Sequence, residues 1–313
     1  REVSYAVNIC FVPPEYFHEL RDPQRYNIGI FDWETDFLPL EWIPECNAMD
    51  EIWVPAHWTA DIVRRSGVVK PVYVFGHCAS PDDYKDALPL IFPELPADLY
   101  KFYSIFQWTE RKNPKGLLRA YLKEFTGKDP VVLILKTYGS DYSESEQSAV
   151  ISEIKQVKAE VGADDPPKVM VILDMLTKEE MLGLHKMADC FILPHRAEGW
   201  GLPHFEACMM GKPVITTNYS ANLEFTKPEH SYLIGYEMTA VSGMDRVHWY
   251  KPGMVWADPR EADCRWCMRH VFINRGEARL KGLAAQAFVR KNFTWTVVGN
   301  KMKERLTEIV MAL

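Results

Sequence analysis

Short apolar runs alternate along this chain with longer amphipathic stretches, the arrangement of parallel β-sheets with crossover helices. In the first part, residues 4–12, 26–32, 51–55 and 71–75 read as strands, and 56–66 as a helix carrying Trp58, Ile62 and Val63. Residues 76–99 are rich in Pro, Asp and Ala, hold no sustained period, and read as an interdomain linker. Beyond them, 100–106 predicts a strand, and Asn113-Pro114 opens a helix that buries Leu117, Leu118, Tyr121, Leu122 and Phe125. Residues 131–135 form a continuous apolar strand ending at Lys136, and 144–161 a helix with Val150, Ile154 and Val157 on one face. The next strand is 169–173, and Thr177-x-x-Glu180 is a capping box ahead of Met181, Leu184 and Met187. Residues 232–258 read as irregular, and helices are expected at about 260–274, 277–291 and 296–311. The chain thus divides into two α/β units, 1–98 and 99–290, followed by a helical segment, 291–313, that is long enough to cross back to the first unit.

The sharpest local pattern is HRAEGWGLPHFEACMMG at 195–211. It lies between the strand-like runs 190–194 and 212–217 and sets Glu198 and Glu206 eight positions apart around a helix start. Pro203 suits the first helical position and Gly211 the residue just past the end. The loop aims backbone N–H groups around Gly201 and Leu202 at whatever lies above the sheet, and a helix N-terminus of this kind attracts phosphate. One carboxylate in the loop and another a turn into the helix are placed to grip hydroxyl groups beside that phosphate. Phosphate with hydroxyls on both sides describes a sugar nucleotide. Gly199 and Gly201 permit close backbone approach and positive φ.

The spacing E-x7-E within EGWGLPHFEACMMGKPVI resembles the donor-site motif of retaining GT-B glycosyltransferases, family 4 above all. The run Thr217-Asn218-Tyr219-Ser220-Ala221-Asn222-Leu223-Glu224-Phe225 resembles the same family, as does Arg111-Lys112-Asn113-Pro114 after the strand at 102–106. The resemblance implies two Rossmann-like domains facing across a cleft. The N-terminal one here is small or truncated, short by a couple of βα units or preceded by them in a longer chain, since nothing before Asn27 matches the family's glycine-rich opening. It implies further that Glu206 takes the nucleotide ribose, that Glu198 touches hydroxyls of the transferred sugar near the reacting centre, and that Lys112 binds phosphate. The neighbours of Glu206 (Phe205, Ala207, Cys208 and Met209) predict a largely buried helix, where a carboxylate needs donors. Where the family often carries an arginine this chain has Phe106, leaving Arg111 or Lys136 to compensate. Lys136, at a strand end, also points to the cleft and helps neutralise the diphosphate. Trp200 is expected to wall the sugar pocket, and His195 and His204 flank the motif, His204 beside the sugar.

From the first unit, Asp32 and Glu34 at the end of one strand and His57 at the end of another are acceptor-facing candidates, or ordinary strand-end and helix-start residues. Asp82-Asp83 and Asp164-Asp165 read as loop acids rather than metal-binding DxD motifs, so no metal or other cofactor is expected. Cys264, Cys267 and Val271 share an apolar helical face, which outweighs a zinc reading of Cys264-x2-Cys267-x2-His270.

At 313 residues, 47% apolar and 25% charged, the chain has the composition of a soluble globular protein. A net charge of −7 argues against a general nucleic-acid partner. Seven scattered cysteines point to a reducing, cytoplasmic setting. The opening run lacks a signal-peptide h-region, and the chain starts at Arg1 rather than Met, as a fragment or processed chain would. No apolar run spans a bilayer, and the mixed charges at 301–306 leave peripheral membrane contact only faintly suggested. The expected function is transfer of a sugar from a UDP-, GDP- or ADP-linked donor to a glycan, lipid or small-molecule hydroxyl, without a metal. The alternatives are another GT-B enzyme, such as a nucleotide-sugar epimerase, and a non-catalytic sugar-nucleotide-binding subunit.

Overall fold

The computed structural model describes residues 5–313, so Ser4, the first residue of the strand expected over 4–12, lies outside the described residues. Strands β1 (Val7–Phe11), β2 (Tyr26–Ile30), β3 (Glu51–Val54) and β4 (Val72–Val74) form a parallel sheet in that order. Helices α1 (Phe17–Leu20), α2 (Trp42–Ala48) and α3 (His57–Arg65) accompany it. The connecting stretch carries a short helix, α4 (Asp82–Lys85).

The second unit runs β5 (Tyr100–Gln107), α5 (Pro114–Glu124), β6 (Val131–Tyr138), α6 (Glu144–Val161), β7 (Lys168–Ile172) and α7 (Lys178–Met187). It continues through β8 (Cys190–Leu193), α8 (Leu202–Met209), β9 (Val214–Thr217) and β10 (Tyr232–Ile234). Its six parallel strands lie in the order β10-β9-β8-β5-β6-β7. Strands β5, β6, β8 and β9 are buried almost throughout, which is why they read as unbroken apolar runs: a parallel sheet covered by helices has no wet face. Ser143 caps α6, Gly162 closes it at φ +59°, and Thr177 and Glu180 form the expected capping box on α7.

Two expectations change. The stretch 232–258 is not irregular: besides β10 it holds the antiparallel pair β11 (Tyr236–Ala240) and β12 (Val255–Pro259). Their alternation is hard to read because β11 is partly to fully exposed along its length. Lys136 is not the end of its strand, since β6 continues to Tyr138.

The two units are tied together in several places. The loop between β11 and β12 reaches the first unit, where Trp249 packs edge-on to Trp42 and donates to Glu15 at 3.0 Å. Tyr250 stacks on Trp33, its hydroxyl 3.2 Å from Glu34, and Asp36 accepts the backbone N–H of Val255. After α9 (Glu261–Ile273) and α10 (Arg275–Asn292), helix α11 (Trp295–Ala312) lays Met302, Leu306 and Ile309 on Ile28 and Trp53 of the first sheet. There the fully buried carboxylate of Glu51 accepts from Arg305 at 2.7 Å, Trp53 at 2.6 Å and Tyr26 at 3.1 Å, while Arg305 stacks over Tyr73.

Removing the guanidinium leaves a buried anion with only two neutral donors. Arg305→Met is therefore expected to destabilise the first unit by about 2–4 kcal/mol, with Arg305→Lys losing less. Thermal melting, together with hydrogen exchange in β3 and α11, checks this; an unchanged melting temperature would show that the bridge does not hold α11.

Candidate functional site

The strand order reverses between β5 and β8: from β5 the chain builds outward through β6 and β7, and from β8 through β9 and β10 on the other side. In open α/β sheets the crevice for ligands opens at the carboxyl ends of the strands flanking such a reversal. The residues that leave those two ends are Arg111 and Lys112 after β5, and Glu198 after β8.

The two strand-end loops are stitched together by backbone-level bonds. The Arg196 N–H donates to the Arg111 carbonyl at 2.7 Å, and Arg111 Nη1 to the Ala197 carbonyl at 3.1 Å. Asn113, held at φ +52°, caps the turn into α5 and donates from Nδ2 to the Pro194 carbonyl at 3.0 Å. Ser220, strained at φ +73°, accepts the Glu198 N–H on its Oγ at 2.8 Å.

This frame holds a buried ion cluster. Glu198 is 3% exposed, with Oε1 2.5 Å from Lys112 Nζ and Oε2 3.4 Å from Arg111 Nη1. Arg111 also lies 3.5 Å from Glu34 of the first unit. Burial would raise the Glu198 carboxyl, but Lys112 and Arg111 outweigh it and hold it well below the usual range. Burial lowers the Lys112 ammonium, helped by Arg111 and opposed by Glu198. Burial works against the charged form of Arg111 too, yet Glu34, Tyr250 and Glu198 keep it above the ordinary arginine range. Glu198, expected to touch hydroxyls of the transferred sugar, is closed onto Lys112 in this state.

Beside the cluster opens a cavity of about 360 Å³ lined by Arg111, Lys112, Lys136, Tyr138, Tyr142, Leu176 and Met181. Lys136 is 4% exposed and its Nζ has no hydrogen-bond partner among the described residues. A second cavity of about 250 Å³ shares Met181 and carries Leu202 and Glu206, with Cys78 and Tyr84 from the connecting stretch.

Several sequence expectations are corrected here. Glu206 is not deeply buried: its side chain is 34% exposed, although His204, Phe205, Ala207, Cys208 and Met209 around it are buried. Its partner is His185, Nε2 to Oε2 3.4 Å, and His185 Nδ1 lies 2.7 Å from the Tyr103 hydroxyl. An imidazole donating to Glu206 accepts from Tyr103, which fixes one tautomer. Trp200, expected to wall the sugar pocket, is 2% exposed and packs in an aromatic cluster with Phe205, Phe225 and Phe293. Pro203 is the second helical residue rather than the first, after Gly201 at φ +93° and the exposed Leu202. Gly199 is where the units touch, since a Cβ there would lie 2.9 Å from Asp32 Cβ.

The first-unit candidates face the second unit or the connecting stretch at separate points. Asp32 lies 3.1 Å from His77 Nε2, and Glu34 contacts Arg111. His57 starts α3, its ring largely exposed and its Nδ1 2.7 Å from Glu224 of the second unit. His195 and His204 are buried beneath the cluster with rings 5.2 Å apart, and burial depresses both, His204 to about 4. They are neutral support for the loop. Among the described residues no group of three or more His, Cys, Asp or Glu is arranged to hold a metal ion. Cys264 and Cys267 belong to the core, and His270 turns to Glu277. No helix among the described residues is long and apolar enough to cross a membrane. His185, Ser220 and Tyr250 went unassigned in sequence. A histidine within the apolar run 181–187 was the available signal for the first of them.

A search of curated protein sequences finds no significant match. Among solved structures, Anabaena HepE in complex with UDP and glucose aligns over 91% of this chain and 72% of its own, at TM-score 0.67 and 14% identity. Sucrose-phosphate synthase from Thermosynechococcus elongatus aligns over 99% and 75%, at TM-score 0.75 and 15% identity. A glycosyltransferase from Rickettsia africae aligns over 92% and 71%, at TM-score 0.65 and 15% identity. At such identities the likeness is one of fold. Residues 93–238, which include both ends of the ion cluster, match the family model of glycosyl transferases group 1. The chain therefore has the two-domain GT-B fold, and the match to glycosyl transferases group 1 covers most of its second unit and the residues just before it.

Proposed function

We propose that this protein is a retaining, family-4-like glycosyltransferase that moves a sugar from a nucleoside-diphosphate donor to an acceptor hydroxyl, with no metal taking part. The observation that carries this reading is the buried Glu198–Lys112–Arg111 cluster at the strand-order reversal, open to a cavity that also holds Lys136. Two cations at a dry strand end are suited to a diphosphate whose negative charge grows as the glycosidic bond breaks. The UDP and glucose bound by HepE, which shares the fold, agree with such a donor.

In this reading Lys112 and Arg111 take the diphosphate, and the glycines at 199 and 201 let the backbone approach it. Displaced from Lys112, Glu198 turns to hydroxyls of the transferred sugar. Glu206, oriented by the Tyr103–His185 pair, holds the ribose, with Leu202 against the nucleoside. Attack comes from the face the leaving group departs, and the departing phosphate takes the acceptor proton. Asp32, Glu34 and His57 line the acceptor side, for a glycan, lipid or small molecule. A cytoplasmic protein, with or without peripheral membrane contact, is the setting that goes with this donor.

Two outcomes test the reading. One of UDP, GDP or ADP at a hundred times its Kd should stabilise the protein by about 2.7 kcal/mol, and Glu206→Ala should abolish most of that shift. A thermal-shift panel reads both, and no shift with any nucleotide from folded protein would sink the donor site. The second concerns Glu198→Gln. Removing the carboxylate leaves Lys112 buried without its anion, so stability should fall by about 2–4 kcal/mol at pH 7. A nucleoside diphosphate now meets no competitor and should bind several-fold tighter than to wild type, while sugar transfer falls by roughly one to three orders of magnitude. The acid limb follows in sign. Because the folded carboxyl is depressed, its contribution is present above about pH 4.3, the unfolded value, and is lost as pH falls below it. The variant's stability should therefore decline less over that range. Weaker nucleotide binding by Glu198→Gln in calorimetry would contradict the competition.

A further inference from the structure

Lys136 differs from the other two cations of the cavity. Arg111 and Lys112 are engaged by Glu34 and Glu198, whereas the Lys136 ammonium, buried within β6, has no acceptor among the described residues. Its contacts are aromatic: the Tyr142 ring at 5.1 Å and the Tyr138 ring at 5.8 Å, themselves stacked 4.9 Å apart at 17°. Burial lowers its pKa, with Asp174 acting in the opposite direction. A buried ammonium with unmet N–H groups is costly, and it can only donate.

Position tells which part of a bound donor would meet it. Glu198 and the start of α8 follow β8, and Arg111 and Lys112 follow its neighbour β5. Strand β6 lies on the other side of β5, with Lys136 paired to Ile105. Lys136 is therefore one strand spacing, roughly 5 Å, from β5, on the side away from β8 and Glu198. The lining beside it is mostly apolar and aromatic: Ile105, Phe106, Leu176, Met181 and the two tyrosines, with Gln107 as a polar neighbour. A planar heterocycle suits such walls, with the ammonium at its edge.

We propose that Lys136 reads the base of the nucleotide, donating to an exocyclic carbonyl oxygen, so that the site takes a uracil, thymine or guanine nucleotide in preference to an adenine one. This rests on the donor reading above and departs from the expectation that Lys136 neutralises the diphosphate. Uracil, thymine and guanine each present a carbonyl oxygen at the edge where adenine presents an amino group. An ammonium complements the first and repels the second.

Calorimetric titration of UDP, GDP, ADP and inorganic pyrophosphate into wild type and Lys136→Met tests it. Wild type should bind UDP or GDP at least about tenfold more tightly than ADP. In Lys136→Met that preferred nucleotide should lose about tenfold or more, the worth of a hydrogen bond to a charged group, while ADP and pyrophosphate change less than about twofold. The wild-type ranking needs no variant, and melting of ligand-free Lys136→Met verifies its folding. Equal losses for all four ligands would place Lys136 on the diphosphate and overturn the proposal while leaving the donor site standing. An ADP preference in wild type would overturn it likewise. Binding of none of the nucleotides to folded wild type would overturn the donor reading and this inference together.

Discussion

The constraint on which the site depends is electrostatic: Glu198 is almost wholly removed from water, and Lys112 and Arg111, also charged, are largely shielded from it. Each ion carries a desolvation cost of several kcal/mol, repaid only where geometry is close and the remaining groups are satisfied. The 2.5 Å contact between Glu198 and Lys112 gives the closeness, and the frame around it supplies the rest. Ser220 is held in a strained conformation to accept the Glu198 N–H, and Asn113 in a left-handed one to join the two loops. Two strand ends that are neighbours only because the strand order reverses there are thereby locked into one surface.

The same cluster ties the site to the relation between the units. Arg111 is shared between Glu198 of its own unit and Glu34 of the other, and Tyr250 on the β11–β12 loop touches Glu34 as well. That loop also buries Met254 against the first unit and sends Trp249 to Trp42 and Glu15. On the opposite side α11 is pinned by Arg305 to the buried Glu51. The units are thus tied by aromatic packing, by a helix and by the ion cluster. Arg111 is at once part of the ion cluster and one of several contacts between the units.

Much of this was legible in the sequence, for physical reasons that can be named. Doubly covered strands such as β5, β6 and β8 must be apolar along their length, so they stand out. The glycine loop and helix start after β8 carry backbone requirements that few residues meet, so 198–211 announces itself. What failed to show was anything set by contacts distant in sequence. Strands β11 and β12 pair with each other at a partly wet edge, and the aromatics of the loop between them pack on residues more than 200 positions away. Glu206 was misjudged from its apolar neighbours when helical spacing was the better guide. Leu202, Glu206 and Met210 are four apart and share the outward stripe of α8, while Phe205, Cys208 and Met209 face the core. Trp200 was given to the pocket because it stands between two glycines; only the packed structure reveals Phe225 and Phe293 behind it.

Charge balance gives the cleft its character. Arg111 and Lys112 are matched by Glu34 and Glu198, so that part of the site is neutral before any ligand arrives. A diphosphate entering there exchanges one anion for another, and the gain is the difference between two good partners rather than the full attraction of an unpaired cation. Tight binding then has to come from elsewhere in the cavity. The Lys136 ammonium is already largely stripped of water and has no hydrogen-bond acceptor among the described residues, so a ligand atom that accepts from it incurs little further desolvation on the protein side. In the donor reading proposed above, selectivity is therefore concentrated at Lys136, where a buried donor is left unmet.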